Sequence, residues 1–277
     1  MNQTPMTMPQ IQQESLKILD VVSAICDKLQ LRYYLAYGTL IGAIRHQGFI
    51  PWDDDIDIMM PRPDYEQLLQ YFRDNAESLK PLELYSTADC PDYPYMITRI
   101  SNSNYVLDVH NEKPYGLGLF LDIYPMDGVG DTEDEYEALK KKATRYSSLC
   151  FLSTRLRCEK GNTKKRWKLL AKYPAFLFAH LLGKNYFVNK LNRMAADCDY
   201  ASSNYVGCLV WGSDGVKGIF PREWFSEAVD VPFEGRSYKA PVNYDAVLKR
   251  LYGDYMQLPP EKDRIAHHFY TAYKKED

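Results

Sequence analysis

The chain has 277 residues, of which 45% are hydrophobic and 26% charged, the balance of an ordinary soluble globular protein. Its net charge of −3 provides no general attraction to nucleic acid, so we expect no nucleic-acid partner. Six scattered cysteines without a C-x-x-C pair, and a start that lacks the features of a signal peptide, predict reduced thiols in the cytoplasm.

The first half of the chain predicts helices and strands in alternation. Apolar residues recur at helical spacing over 11–29, and the aromatic run 31–37 predicts a strand that ends at Gly38-Thr39. A brief helix over 40–46 and a second strand over 52–60 are expected next, followed by a helix over 64–72. Further short strands are predicted at 82–86, 95–100, 105–110 and 119–123.

The second half has a different pattern. Residues 132–205 are long, charged and poor in strand signals, and they predict a helical insertion after a core at 30–131. Residues 206–273 predict C-terminal elements that pack on this core. Among these are a glycine-punctuated segment at 207–218, a hairpin at 233–238, and an amphipathic helix at 242–252 capped by Gly253. We therefore expect one domain of the α/β class with a mixed sheet.

The segment Trp52–Met59 (WDDDIDIM) is rich in carboxylates. Side chains alternate between the faces of a strand, so Asp53, Asp55 and Asp57 should share one face, with Ile56 and Ile58 in the core. A divalent cation such as Mg²⁺ or Mn²⁺ relieves the repulsion between crowded carboxylates. A solvated acidic edge is the alternative, but the interleaved apolar residues favour a metal site. An EF-hand loop is excluded because isoleucine stands where glycine is required.

Gly38-Thr39 lies between a predicted strand and a predicted helix, a geometry that can present backbone N–H groups to a phosphate. A simple helix N-cap at Thr39 is the alternative interpretation. Arg45 follows six residues after Thr39 and can bridge phosphate oxygens, although an exposed arginine near a helix C-terminus would look the same.

Three other features invite functional interpretation. Asp122 stands between apolar residues of a predicted strand, so its carboxylate needs either a metal ion or a salt-bridge partner. Asp127 precedes Gly128 and is predicted to form a turn. For the adjacent His267 and His268, a structural or exposed position is favoured over a catalytic one.

The segment 164–182 begins with a basic cluster around Trp167 and continues as an apolar stretch that is too short and too interrupted to span a bilayer. A core helix broken at Pro174 is the favoured interpretation. The alternative is a peripheral helix that lies on an anionic membrane surface.

Two runs, Leu35–His46 (LAYGTLIGAIRH) and Ile50–Asp57 (IPWDDDID), resemble the signature of the LicD family. Members of that family are phosphocholine transferases related to fukutin and the fukutin-related protein. Weaker similarity continues in Gly118–Gly128 (GLFLDIYPMDG) and Leu251–Met256 (LYGDYM), so the resemblance spans residues 30–270.

The resemblance implies a nucleotidyltransferase fold, in which helices flank a small mixed sheet. It implies binding of Mg²⁺ or Mn²⁺ and of a nucleotide diphosphate. The residues that it implies are Gly38 and Thr39 in the phosphate turn, Asp55, Asp57 and Asp122 as catalytic metal ligands, and Arg45 and Arg99 as phosphate-binding cations.

The reaction that the resemblance implies is transfer of a substituted phosphate, such as phosphocholine, from CDP-choline or a related CDP-alcohol to a glycan hydroxyl, with release of CMP. Asp122 would then help to deprotonate the acceptor. A lipid-linked acceptor would place the enzyme at the inner face of the membrane. Choline requires aromatic partners. The candidates are Tyr33, Tyr34, Tyr37, Trp52 and Trp211.

Three rival functions remain at this stage. A nucleotidyltransferase of the same fold would move a nucleoside monophosphate and release pyrophosphate instead of CMP. A glycosyltransferase can also use an Asp-x-Asp pair, although the Gly-Thr turn is less expected there. A non-catalytic protein that binds metal or nucleotide would retain the fold without turnover.

Overall fold

A computed structural model describes residues 4–159, 166–211, 214–265 and 270–275, except for the side chains of residue 133 and residues 166–171. The described residues form a mixed α/β fold, which confirms the predicted class. The helices are α1 (Met8–Leu29), α2 (Tyr37–Ile41), α3 (Arg62–Asp74), α4 (Glu133–Thr154), α5 (Arg166–Leu182), α6 (Lys184–Ala196) and α7 (Tyr244–Tyr252). None of these described helices is long and apolar enough to cross a membrane.

The strands belong to one large sheet and two small ones. They are β1 (Tyr34–Leu35), β2 (Asp57–Pro61), β3 (Leu82–Tyr85), β4 (Thr98–Asn102), β5 (Tyr105–Val109), β6 (Leu119–Gly130), β7 (Tyr205–Gly207), β8 (Ile219–Pro221), β9 (Ala228–Phe233), β10 (Arg236–Pro241) and β11 (Tyr270–Lys274). The large sheet has the order β1-β2-β6-β4-β3, with β7 and β8 added at the far half of β6. β5 pairs with β11, and β9 pairs with β10.

The register of the central strands fixes the geometry of the site. β2 and β6 run parallel, with Asp57 opposite Asp122, whereas β4 runs antiparallel to β6, with Arg99 opposite Asp122. Three charged residues therefore stand in a row across the middle of the sheet. All three are buried, so each must find a partner within the protein or a ligand.

Helix α1 packs against the large sheet, where it contacts mainly β6 and also β4. It begins with a capping box, in which the Gln10 side chain accepts a hydrogen bond from the backbone N–H of Thr7 at 2.8 Å. Ile18, Leu19 and Val22 of its apolar stripe are completely buried. The predicted amphipathic helix over 11–29 is therefore confirmed, with an additional turn at its start.

Three helices, α4, α5 and α6, fall within 132–205 and pack against one another. α5 continues through Pro174 without interruption, so the predicted break at this proline is wrong. The division of the chain into a core, an insertion and C-terminal elements stays a prediction.

The predicted hairpin is confirmed as β9 and β10, joined by Glu234-Gly235 in the left-handed region. Its turn supports the loop that precedes the carboxylates. The Glu234 backbone N–H donates to the Gln47 carbonyl at 2.9 Å, and its carboxylate accepts a hydrogen bond from the Phe49 N–H at 3.0 Å. The hairpin thereby helps to fix the chain between α2 and β2.

The predicted turn at Asp127 is wrong. The residue lies within β6, its side chain is fully buried, and its carboxylate accepts hydrogen bonds from Arg62 Nε and Nη2 at 2.7 and 3.1 Å. β6 continues through Asp127-Gly128 because these residues pair with Gly207 and Val206 of β7. A partner strand distant in sequence has overridden the local turn preference.

Candidate active site

The Gly-Thr segment lies inside α2, which is fastened directly to β2. The backbone N–H of Asp57 donates to Thr39 Oγ1 at 2.9 Å, and the Ala36 N–H donates to the Asp57 carbonyl at 3.0 Å. Ala36 occupies the N-cap position, so the alternative role of Thr39 as N-cap is wrong. The Thr39 hydroxyl instead fixes the backbone at the residue that begins β2.

Gly38 lies in close contact with a neighbouring carboxylate. A Cβ at this position would come within 2.4 Å of Asp53 Oδ2, so a larger residue would require the Asp53 side chain to shift. Gly38 therefore allows Asp53 to approach the backbone of α2. The predicted strand over 52–60 begins only at Asp57, so Asp53 and Asp55 belong to the loop before β2 instead of sharing a strand face with Asp57.

Asp55, Asp57 and Asp122 converge despite this difference. One carboxylate oxygen from each of the three lies within 4.8 Å of the others. Asp57 and Asp122 are brought together by the parallel register of β2 and β6, and Asp55 reaches them from the preceding loop. We call these three residues the carboxylate triad.

The electrostatics of the triad disfavour three bare negative charges. Burial raises the pKa of Asp57 well above its ordinary value, and the charges of Asp55, Asp122 and Asp53 raise it further, whereas Arg99 lowers it. Oδ1 of Asp57 is buried and has no hydrogen-bond partner among the described residues. Such an oxygen is costly to bury unless something binds it.

A hard divalent cation fits this arrangement. Carboxylate oxygens are the preferred ligands of Mg²⁺ and Mn²⁺, and three converging carboxylates include one buried oxygen without a protein partner. The residues that would hold the ion are the members of the carboxylate triad. Its identity and presence stay a prediction.

Arg99 lies beside Asp122 in the sheet. Its Nε donates to Asp122 Oδ1 at 2.6 Å and its Nη2 to Oδ2 at 3.4 Å, and its guanidinium lies between the rings of Tyr95 and Phe120. Arg99, expected to neutralise substrate phosphate, is thus buried and engaged with Asp122. Its geometry suits it to orient this carboxylate.

A cavity of about 420 Å³ opens beside the triad. Asp55 and Asp57 line it, as does Asp53, while Asp122 lies deeper and is 2% exposed. The remaining wall is formed by Tyr37, Gly38, Ile41, Arg45, Ile50, Trp52, Tyr252, Asp254, Tyr255, Gln257 and Pro259. Two of the predicted metal ligands, Asp55 and Asp57, therefore meet Gly38 and Arg45 around one cavity.

Arg45 lines the cavity but also supports its far wall. Its Nη1 donates to the Tyr255 carbonyl at 2.6 Å and to the Gln257 carbonyl at 3.5 Å, and its Nε contacts His46 Nε2 at 3.0 Å. Burial lowers the pKa of Arg45. The arginine lies in the π-helical segment Gly42–His46, which follows α2, and thus connects the end of this segment to the loop after α7.

Sequence reasoning gave no role to the last residue of α7 and the residues that follow it. Tyr252 and Asp254 line the cavity, and Tyr252 is 46% exposed. The only available signal was the similarity of Leu251–Met256 to a family block.

Sequence reasoning also missed Asp214. Its side chain shares a hydrogen bond with the side chain of Tyr37, which lines the cavity. The backbone of Tyr37 lies in the left-handed region, at φ 47°.

The structure places the five aromatic candidates for choline binding in different environments. Tyr37 and Trp52 line the cavity. Tyr33 and Tyr34 are buried in the core, and Trp211 packs against Tyr95. His267 and His268 lie outside the described residues.

Comparison with known proteins gives this site a context. A family model described as "LicD/FKTN/FKRP, nucleotidyltransferase domain" matches residues 30–152. The chain is also 34% identical over 277 residues to the lipopolysaccharide cholinephosphotransferase LicD of Haemophilus influenzae, covering 97% of this chain and 98% of the relative. The chain belongs to the LicD family. With this extent of similarity to a LicD family enzyme, it is a transferase of phosphorus-containing groups.

Two other relatives have uncharacterized functions. A Rickettsia typhi protein is 27% identical over 198 residues, covering 62% of this chain and 61% of its own length. A Rickettsia prowazekii protein is 49% identical over 43 residues, 16% of each chain. The LicD family match includes α2, β2 with the loop before it, and all of β6, and therefore every residue of the carboxylate triad.

Proposed function

We propose that the chain transfers phosphocholine from CDP-choline to a hydroxyl group of a lipopolysaccharide glycan and releases CMP. The observation that carries this proposal is the position of the carboxylate triad beside a cavity with an aromatic wall. The name of the Haemophilus influenzae relative supports phosphocholine as the transferred group and lipopolysaccharide as the acceptor.

The aromatic wall suits a quaternary ammonium group. Tyr37, Trp52, Tyr252 and Tyr255 line the cavity, and the faces of such rings attract cations. Asp254 lines the same cavity and adds negative charge. Because the choline group is permanently cationic, both features would favour its binding next to the diphosphate.

The triad would bind one divalent ion through Asp55, Asp57 and Asp122. When bound, such an ion supplies positive charge against the diphosphate and the leaving CMP. Arg99 would keep the Asp122 carboxylate in a fixed orientation. Thr39 would fix the position of Asp57 through its backbone N–H.

In the reaction, the acceptor oxygen forms a bond to the phosphorus that bears choline. The bond from this phosphorus to the bridging oxygen breaks, and CMP leaves with that oxygen. The proton of the acceptor hydroxyl passes to a carboxylate. We assign this role to Asp53 because it lines the cavity next to the triad, whereas Asp122 does not line the cavity and is 2% exposed.

The direct test is to incubate the protein with Mg²⁺, CDP-choline and lipopolysaccharide, and to measure CMP and choline-modified glycan by mass spectrometry. We expect equal amounts of both products. Asp57→Asn should lower turnover by about a thousandfold or more because the variant loses a charged metal ligand. Asp230→Asn is the matched control, since this exposed carboxylate pairs with Lys239 and neither residue lines the cavity.

Two outcomes would contradict the proposal. Release of phosphocholine in place of CMP, with the nucleoside monophosphate moved to the acceptor, would identify a nucleotidyltransferase. Full turnover by a correctly folded Asp57→Asn variant would show that the carboxylate triad is not needed for the reaction.

A further inference from the structure

Helix α5 exposes an apolar surface. Within its described side chains, Tyr173, Pro174, Leu177, Phe178 and Leu181 are all exposed; Leu177 is 51% and Leu181 83% exposed. At about 100° per residue, these five positions fall within an arc of about 140°. We call them the α5 apolar arc. A helix that faces water normally presents charged or polar residues there.

The apolar surface continues beyond α5. Leu156, which follows α4, is 53% exposed, and the carbonyl of the preceding residue Arg155 lies 3.1 Å from His180 Nε2 on α5. Leu156 and His180 also line one shared cavity. An exposed apolar patch of this kind marks a surface that binds something apolar.

The sequence around the arc is strongly basic. Residues 155–190 contain ten Lys or Arg and one acidic residue, Glu159, which gives a charge of +9. Because the whole chain carries −3, the remaining residues carry −12. In sequence, positive charge is thus concentrated in the segment that contains the α5 apolar arc, and of these cations Arg155 is neutralised by a buried ion pair with Glu112.

These two features together identify the ligand class. An apolar face within a segment rich in Lys and Arg suits the boundary between the headgroups and acyl chains of an anionic bilayer. A second copy of the chain fits less well, because a two-fold contact would bring two segments of charge +9 together. We propose that α5 docks the protein on an anionic membrane surface, with the α5 apolar arc inserted among the headgroups.

The proposal does not depend on the transferred group, because membrane binding can be measured without donor or acceptor. The test is co-sedimentation of the full chain with vesicles of equimolar phosphatidylcholine and phosphatidylglycerol, and with vesicles of phosphatidylcholine alone. We expect stronger binding to the anionic vesicles, with loss of this preference at high salt.

Variants separate the two parts of the surface. Leu177→Asp and Leu181→Asp should each weaken binding by about tenfold or more, since each places a charge where an apolar side chain would be buried. Lys164→Gln combined with Lys165→Gln should weaken it by about tenfold through charge alone. Val21→Asp is the matched control, because Val21 is an exposed apolar residue on α1.

Circular dichroism and thermal unfolding would verify that each variant folds. Equal binding by wild type and Leu181→Asp, or no preference for anionic vesicles, would overturn the proposal. So would sedimentation equilibrium that shows a dimer dissociated by Leu181→Asp together with no vesicle binding, since that outcome would identify a second copy as the partner.

Discussion

At the scale of one residue, Asp57 shows that a negative charge in the site is electrostatically unfavourable. Its carboxylate is buried next to two others, and its raised pKa expresses the cost of charging it there. The surrounding fold tolerates this cost because the residue is held by backbone hydrogen bonds to α2. Residues kept for chemistry often oppose stability in this way.

We therefore predict that Asp57→Asn stabilises the metal-free protein while it abolishes turnover. The neutral amide keeps the shape and removes one of three crowded charges, so the free energy of unfolding should rise by about 1 kcal/mol. Thermal unfolding in the presence of EDTA would measure this change. A marked loss of stability would show that Asp57 has a structural partner that the described contacts do not explain.

Trp52 gives a prediction about substrate specificity. If the aromatic wall binds choline, Trp52→Ala should raise KM for CDP-choline by about threefold to thirtyfold, with a smaller effect on kcat. The change should be larger with CDP-choline than with an uncharged CDP-alcohol. Trp211→Ala is the control, because Trp211 packs against Tyr95 and not among the residues of the cavity wall. Equal effects on both donors would argue against a cation-binding role for Trp52.

At the scale of elements, β6 combines the site with the structural core. Asp122 occupies its first half, and Asp127, five residues later, forms a buried ion pair with Arg62 at the start of α3. Because side chains alternate along a strand, these two carboxylates point to opposite faces of the sheet. One face serves the site and the other attaches α3.

We predict that Asp127→Ala lowers the free energy of unfolding by about 3–5 kcal/mol, since it leaves the charge of Arg62 partly buried without this partner. Urea denaturation would measure the change. Asp230→Ala should cost less than about 1 kcal/mol because its pair with Lys239 is exposed. Similar values for the two variants would contradict a structural role for the buried pair.

The elements also show what the sequence could and could not predict. The helix expected over 64–72 is α3, and the resemblance correctly indicated that the carboxylates of β2 and β6 would meet. Asp127 was misassigned because its partners, Arg62 and β7, are distant in the chain, whereas turn preferences are local. The cavity role of Tyr252 was missed for the same reason, since it depends on how α7 packs near α2.

At the scale of the whole molecule, the six cysteines differ in how deeply they are buried in the core. All six are free thiols. Burial raises the pKa of three of them, Cys26, Cys150 and Cys208, to about 12. The other three, Cys90, Cys158 and Cys198, are half-buried.

We predict that iodoacetamide at pH 8 alkylates the half-buried cysteines first and leaves the other three intact in the folded protein. A thiol with a raised pKa forms little of the reactive thiolate, and burial also blocks access. Mass spectrometry of the peptides would identify the modified positions, and labelling in urea should reach all six. Rapid modification of Cys208 without denaturant would indicate that the core opens near β7.

Part of β6 is paired with a strand on each side, and this arrangement should slow amide hydrogen exchange there. Asp122 and Ile123 have neighbouring strands on both sides, β2 on one and β4 on the other. An amide in such a position exchanges with solvent only through the largest openings of a protein, whereas frayed ends and surface loops exchange through small ones. The strand that bears a proposed metal ligand should therefore be among the slowest to exchange its amide protons.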